Sequence, residues 1–210
     1  MEDILFVSNL EFSEMLEYQE IGIPMNKTTF ICGESGSGKS SLLKMLNGTV
    51  SPTRGDVFYN SKNIKNLDML VLRKEVLLVA QSAFLFDGSI EENFSKFYGF
   101  RKQELINNEE MKKFLKVCLV GFDLDSKCET MSGGEKQRVF IAICLSFMPK
   151  VIMLDEPTSA LDEITSDCFF ENIKSFSIDN NITLVVVSHN RTLMEKYADK
   201  IIEIGRRVIA

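Results

Sequence analysis

Four strand-like, largely apolar runs, near 28–32, 76–80, 151–155 and 183–188, stand out along this chain. They lack the alternation of strands with one wet face. Thr28-Thr29-Phe30-Ile31-Cys32 and Thr183-Leu184-Val185-Val186-Val187 are rich in β-branched residues, the pattern of parallel strands buried on both faces. Shorter strand patterns fill the first 60 residues, among them 5–10. Between 89 and 148 the period becomes helical. Residues 108–117 place Met111, Phe114 and Leu115 on one face, and 135–147 form a second apolar-faced helix. A helix is also expected at 41–46, and final strands at 200–204 and 206–209 turn about Gly205. The order predicts an α/β fold in which a helical block interrupts a parallel sheet.

Composition narrows the picture to one domain. The 210 residues are 45% hydrophobic, enough to bury a sizeable core. No continuous apolar stretch of membrane-spanning length, no basic leader with an apolar core, no low-complexity linker and no repeat is visible, so a soluble cytosolic chain without direct membrane insertion is expected. Cys32, Cys118, Cys128, Cys144 and Cys168 are odd in number and scattered, which suits reduced thiols. A net charge of −6 and a pI near 5.0 disfavour nucleic acid as a partner, since binding it needs a basic footprint.

The candidate chemistry begins at Gly33-Glu34-Ser35-Gly36-Ser37-Gly38-Lys39-Ser40, followed by Ser41, between a predicted strand and a predicted helix. This fits GxxxxGK[ST], in which glycines let backbone N–H groups and a helix start converge on phosphate oxygens. Lys39 is expected to bridge the β- and γ-phosphates and Ser40 to ligate Mg²⁺. Val151-Ile152-Met153-Leu154-Asp155-Glu156 runs four apolar residues into two carboxylates at a strand's C-terminal end. There Asp155 is expected to hold the Mg²⁺ shell through water, and Glu156 to orient and deprotonate an attacking water. Met131-Ser132-Gly133-Gly134-Glu135 supplies an N-cap and two glycines at the start of a further helix, a second anion-binding helix start.

This last stretch resembles the LSGGQ signature of ATP-binding cassettes, with Met131 in place of Leu and Glu135 in place of Gln. Gln81, Asp162 and His189 fall where that family places its Q-loop, D-loop and switch histidine. The resemblance spans essentially the whole chain. It implies a P-loop NTPase fold with a RecA/F1-like parallel-sheet core, an N-terminal antiparallel β subdomain and an inserted helical subdomain. Residues 1–210 are then one ATPase domain, with 1–88 and 149–210 as the nucleotide-binding core and 89–148 as the helical subdomain. ATP and Mg²⁺ are the implied ligands. Gln81 joins Ser40 and Asp155 at the metal; Glu156, His189, Lys39 and Gln81 carry out hydrolysis.

By the same resemblance, two copies pair head to tail, so that Ser132, Gly133, Gly134, Glu135 and Asp162 complete the site of a sister molecule. Phe12 is the candidate for stacking on adenine, with Tyr18 as the alternative. The implied partner is an integral membrane permease, which holds the chain peripherally at the inner face of the cell membrane. The pattern from Leu85 to Asn93, LF-x-G-[ST]-I-x-x-N, is similar to exporter-like cassettes. Residues 147–150 and 158–163 resemble small Fet-type iron-export cassettes. The competing reading is a soluble cassette serving cofactor assembly or another process without transport; kinases, which transfer phosphate to an acceptor, lack the Ser132-Gly133-Gly134 element.

Overall fold

The computed structural model describes residues 2–13 and 16–205. An antiparallel sheet comes first. It contains β1 (Asp3–Phe12), β2 (Leu16–Tyr18) and β3 (Ile21–Pro24). The chain then enters a parallel sheet through β4 (Thr28–Cys32), runs into α1 (Lys39–Leu46), and returns to the first sheet as β5 (Arg54–Tyr59) and β6 (Lys62–Asn63). One long strand, β1, pairs with β5 on one side and with both β2 and β3 on the other.

After α2 (Met69–Glu75) come β7 (Val76–Val79) and three helices, α3 (Ile90–Arg101), α4 (Asn108–Val117) and α5 (Gly133–Ser146). The rest alternates strand and helix: β8 (Val151–Asp155), α6 (Glu163–Asp179), β9 (Thr183–Val187), α7 (Arg191–Tyr197) and β10 (Lys200–Glu203). The five parallel strands lie in the order β10-β4-β9-β8-β7. Their carboxyl ends therefore share one edge. That edge carries the loops that follow β4, β9, β8 and β7.

Two cores explain the largely apolar runs. On β8, Ile152 and Leu154 pack with the helical side of the molecule, while Val151 and Met153 pack with α1 and the antiparallel sheet. β9 divides the same way, Leu184 and Val186 against Val185 and Val187. Because alternate side chains enter different cores, these strands are mainly apolar on both faces. Burying each of these side chains contributes roughly 1.5–3 kcal/mol.

The structure changes several expected boundaries. Helix α1 begins at Lys39, two residues before the predicted start, and α5 includes Gly133 and Gly134 in its first turn. Helices α2, α6 and α7 were not anticipated, although α6 buries Phe169, Phe170 and Ile173 on one face and α7 buries Leu193, Met194 and Tyr197. In α2, Leu70 and Val71 face solvent; Asp68 holds the helix start by accepting from Leu70 N and Val71 N. The predicted strand 206–209 lies outside the described residues.

Candidate active site

At the end of β4 the backbone turns through Gly33, Gly36 and Gly38, all at positive φ. Two of these glycines are sterically required as well. A Cβ on Gly33 would collide with the Ile204 carbonyl, and one on Gly38 with the Tyr18 hydroxyl and the Leu16 side chain. Lys39, buried at 6% exposure, donates from Nζ to Gly33 O at 2.9 Å and Glu34 O at 2.7 Å. The loop thus closes around its own cation. Ser37 Oγ is buried there without a hydrogen-bond partner, whereas Ser35, Gly36 and Ser40 are exposed and Ser41 half-exposed.

Tyr18 braces this loop. Its ring is 3% exposed and its hydroxyl donates to Gly38 O at 2.8 Å, with burial pushing the phenol up to about 12. Phe12 ends β1 opposite Leu16, half-buried, with its side chain packed on the core beneath the antiparallel sheet.

Two strands over, β8 delivers Asp155 and Glu156. Asp155 is 8% exposed and lies in register with Val187 of β9. Glu156 takes a left-handed backbone, φ 49°, a conformation uncommon outside glycine. Its amide donates to Val187 O at 3.0 Å, which fixes the turn against the neighbouring strand. The turn brings Glu156 Oε1 to 3.0 Å from His189 Nε2. Both side chains line a cleft of about 450 Å³ with Thr158, Ser159, Leu161 and Ser188. Gln81, exposed, follows the end of β7, the strand beside β8.

Sheet order alone therefore brings Lys39, His189, Asp155, Glu156 and Gln81 to one edge from four separate parts of the sequence. Among the described residues no cluster of three or more His, Cys, Asp or Glu side chains converges to hold a metal. The available donors are one carboxylate, one hydroxyl and one amide oxygen. This all-oxygen, incomplete set suits Mg²⁺, which takes its remaining ligands from phosphates and water.

Ser132 and Gly133 are exposed at the start of α5. Gly134 lies against Ala160, to which an added Cβ would come within 3.1 Å, so the helix start rests on the loop after Glu156. Asp162, exposed in that loop, caps α6 by accepting from Thr165 N at 2.9 Å and Thr165 Oγ1 at 2.6 Å.

The segment before α3 is tied to the one before α5. Gly88 N donates to Glu129 Oε1 at 2.8 Å, Cys128 N to Gly88 O at 2.9 Å, and Ile90 N to Ser126 O at 3.1 Å. Buried Asn93 adds a clamp: its amide accepts from Phe86 N at 2.8 Å and donates to Phe86 O and Ser89 O, each at 2.9 Å. Sequence reasoning gave Asn93 no role. The available signal was a polar residue on the same helix face as Ile90, Phe94 and Phe97.

Comparison with known proteins decides the family. The family model described as ABC transporter matches residues 16–159. The chain belongs to the ABC transporter family. It is accordingly an ATP-binding cassette and an ABC-type ATPase. A relative of the cassette, the phosphate import ATP-binding protein PstB of Saccharolobus solfataricus, is 36% identical, with 94% of this chain and 83% of the relative covered. The structure of cbiO1 from Clostridium perfringens, part of the ABC transporter complex cbiONQ, matches with a TM-score of 0.84 at 26% identity, over 99% of this chain and 88% of its own. A dimeric ATP-binding cassette in a post-hydrolysis state bound to ADP and Pi matches equally well, TM-score 0.84 at 25% identity, over 97% and 96%. The cassette's antiparallel sheet, parallel sheet and helices are those of the ABC fold.

Proposed function

We propose that this cassette hydrolyses ATP at the edge formed by β4, β7, β8 and β9, pairs head to tail with a second copy when ATP is bound, and drives a separate integral membrane permease. The exposed start of α5 carries the reading. Ser132 and Gly133 present a helix N-terminus outward, away from the core, as a surface that grips a nucleotide held by another molecule. The relative solved as a dimer with ADP and Pi supports the pairing.

In this mechanism the phosphate loop positions the triphosphate, and Lys39 exchanges its two loop carbonyls for phosphate oxygens. Ser40, Gln81 and, through water, Asp155 would hold Mg²⁺, which would neutralise phosphate charge. Glu156 accepts the proton of the attacking water. His189, held on Glu156 in the structure, transfers its donor to the γ-phosphate and leaves the carboxylate free to act.

The permease docks on the aromatic surface between β7 and α3. Phe84 and Phe100 are 64% and 69% exposed, with Phe86 and Phe97 packed between and beneath them at centroid distances of 4.9–6.2 Å. An exposed cluster of this size suits an apolar helix of a partner. The membrane association follows from that docking; among the described residues no helix is long and apolar enough to cross a membrane. For the cargo, the resemblance of 147–150 and 158–163 to Fet-type cassettes points to metal export.

Glu156→Gln tests the mechanism. It keeps ATP binding, lowers turnover by about 100-fold or more, and accumulates a dimer with ATP in light scattering, whereas Lys39→Ala loses ATP binding in calorimetry. Normal hydrolysis by Glu156→Gln overturns the assigned base, and a monomer that persists with saturating ATP overturns the pairing.

A further inference from the structure

The start of α5 differs from the other capped helix starts in one contact. Ser89 of α3 and Asn107 of α4 each form a reciprocal box with a glutamate three residues on, the side chain accepting from the glutamate N–H at 3.1 and 3.0 Å. In α5 that bond is stretched to 3.4 Å. Instead, the Ser132 hydroxyl donates to Glu135 Oε2 at 2.7 Å, and Ser132 N donates to the same oxygen at 2.8 Å. Ser132 has a single hydroxyl hydrogen. While it points at Glu135 it is not available to a phosphate, and a phosphate oxygen taking its place would stand beside a like charge in a closing, drying seam.

A second position for this carboxylate is within reach. Arg138 lies one helical turn on, at the i+3 spacing that lets Glu and Arg side chains meet. Its Nε is buried without a hydrogen-bond partner, and its Nη1 approaches the position a Gly134 Cβ would occupy. Arg138 already adds to the Ser132 bonds that hold the Glu135 carboxyl below the usual carboxylate range.

We propose that Glu135 gates ATP-driven pairing: on Ser132 its carboxylate withholds the hydroxyl from a sister molecule's γ-phosphate, and swinging onto Arg138 releases it. Glu135 is then a positioning residue. It acts through Ser132 and sets how tightly ATP holds two copies together. The inference rests on the head-to-tail reading above.

The test uses the full chain carrying Glu156→Gln, with MgATP, and measures the dimer dissociation constant by analytical ultracentrifugation. Adding Glu135→Gln keeps a side chain that can still cap the helix but removes the charge, and it tightens the dimer about tenfold. Adding Arg138→Met to the Glu156→Gln parent strands the carboxylate on Ser132 and weakens the dimer by a similar factor of about ten, and Glu135→Gln then rescues it. A helix cap with no gating role would show neither the tightening nor the rescue. Glu135→Gln within twofold of the parent, or weaker, overturns the proposal even if Arg138→Met fails to fold. If the parent itself stays monomeric with MgATP, the head-to-tail reading fails first, and the gate with it.

Discussion

Gly38 shows how one residue can belong to two structures. Its carbonyl opens α1 by accepting from Leu42 N at 2.9 Å and also accepts the Tyr18 hydroxyl, so the phosphate loop is braced from the antiparallel sheet. Removing that hydroxyl leaves the carbonyl its helical partner. Tyr18→Phe is therefore expected to cost only one neutral hydrogen bond, about 0.5–1.5 kcal/mol, and to weaken ATP binding several-fold in calorimetry while the fold survives. Unchanged affinity would mean that the loop is held by its glycines and Lys39 alone. Glu156 poses the opposite case: its side chain was legible in the sequence as a carboxylate after an apolar strand, but its left-handed backbone and its contact with His189 were not. Those depend on β9 lying beside β8.

At the scale of elements, the helical block is held by polar devices set in apolar surroundings. Asn93 satisfies both backbone groups of Phe86 and one of Ser89, so truncation strands several part-buried groups at once. Asn93→Ala should lower stability by about 2–3 kcal/mol, which for a chain near this length moves the thermal midpoint down by roughly 5–10 °C. A loss under 1 °C by calorimetry would show that the loop holds itself. Carboxylates also hold helix starts. Glu92, Glu135 and Asp162 are each kept below the usual carboxylate range, by Ser89 N–H, by the Ser132 hydroxyl and amide, and by the Thr165 hydroxyl and amide respectively. A depressed folded pKa means these groups stabilise fully above their unfolded values, about 4.3 for Glu and 3.9 for Asp, and lose that effect as pH falls through the lower folded values. The thermal midpoint should accordingly be flat from these groups between about pH 7 and 5 and decline below about pH 4, followed by circular dichroism. A decline that begins at pH 6 would implicate another group.

For the whole molecule, the proposed function links the nucleotide edge to a partner surface. The aromatic surface at Phe84 and Phe100 is connected by the Gly88–Cys128–Glu129 bonds to the segment that ends at Ser132. The double change Phe84→Ser with Phe100→Ser removes two exposed rings, so the thermal midpoint should stay within about 2 °C. Recovery of a membrane protein with the ATP-bound Glu156→Gln form should fall about tenfold or more, since buried aromatic anchors dominate interfaces. Equal recovery would move the docking surface elsewhere.

The four apolar runs, the glycine loop, the paired carboxylates and the signature were legible in residue order because each depends on neighbours within a few positions. Local pattern sets whether a strand is buried on both faces and whether a turn can approach an anion. Helices α2 and α6 were not legible, because exposed Leu70, Val71, Ile164 and Ile178 blur the apolar stripe, and α7, seven residues long, offers too few positions to show a period. The brace from Tyr18, the contact of His189 with Glu156, the clamp at Asn93 and the hold of Glu135 on Ser132 differ among themselves in reach. The last is written within four residues, yet its meaning requires knowing that Arg138 Nε is buried without a partner. Apart from the bond of Asn93 to Ser89, the others join residues separated by 7 to tens of positions, and packing, with strand order for the longer ones, brings such groups within hydrogen-bonding distance.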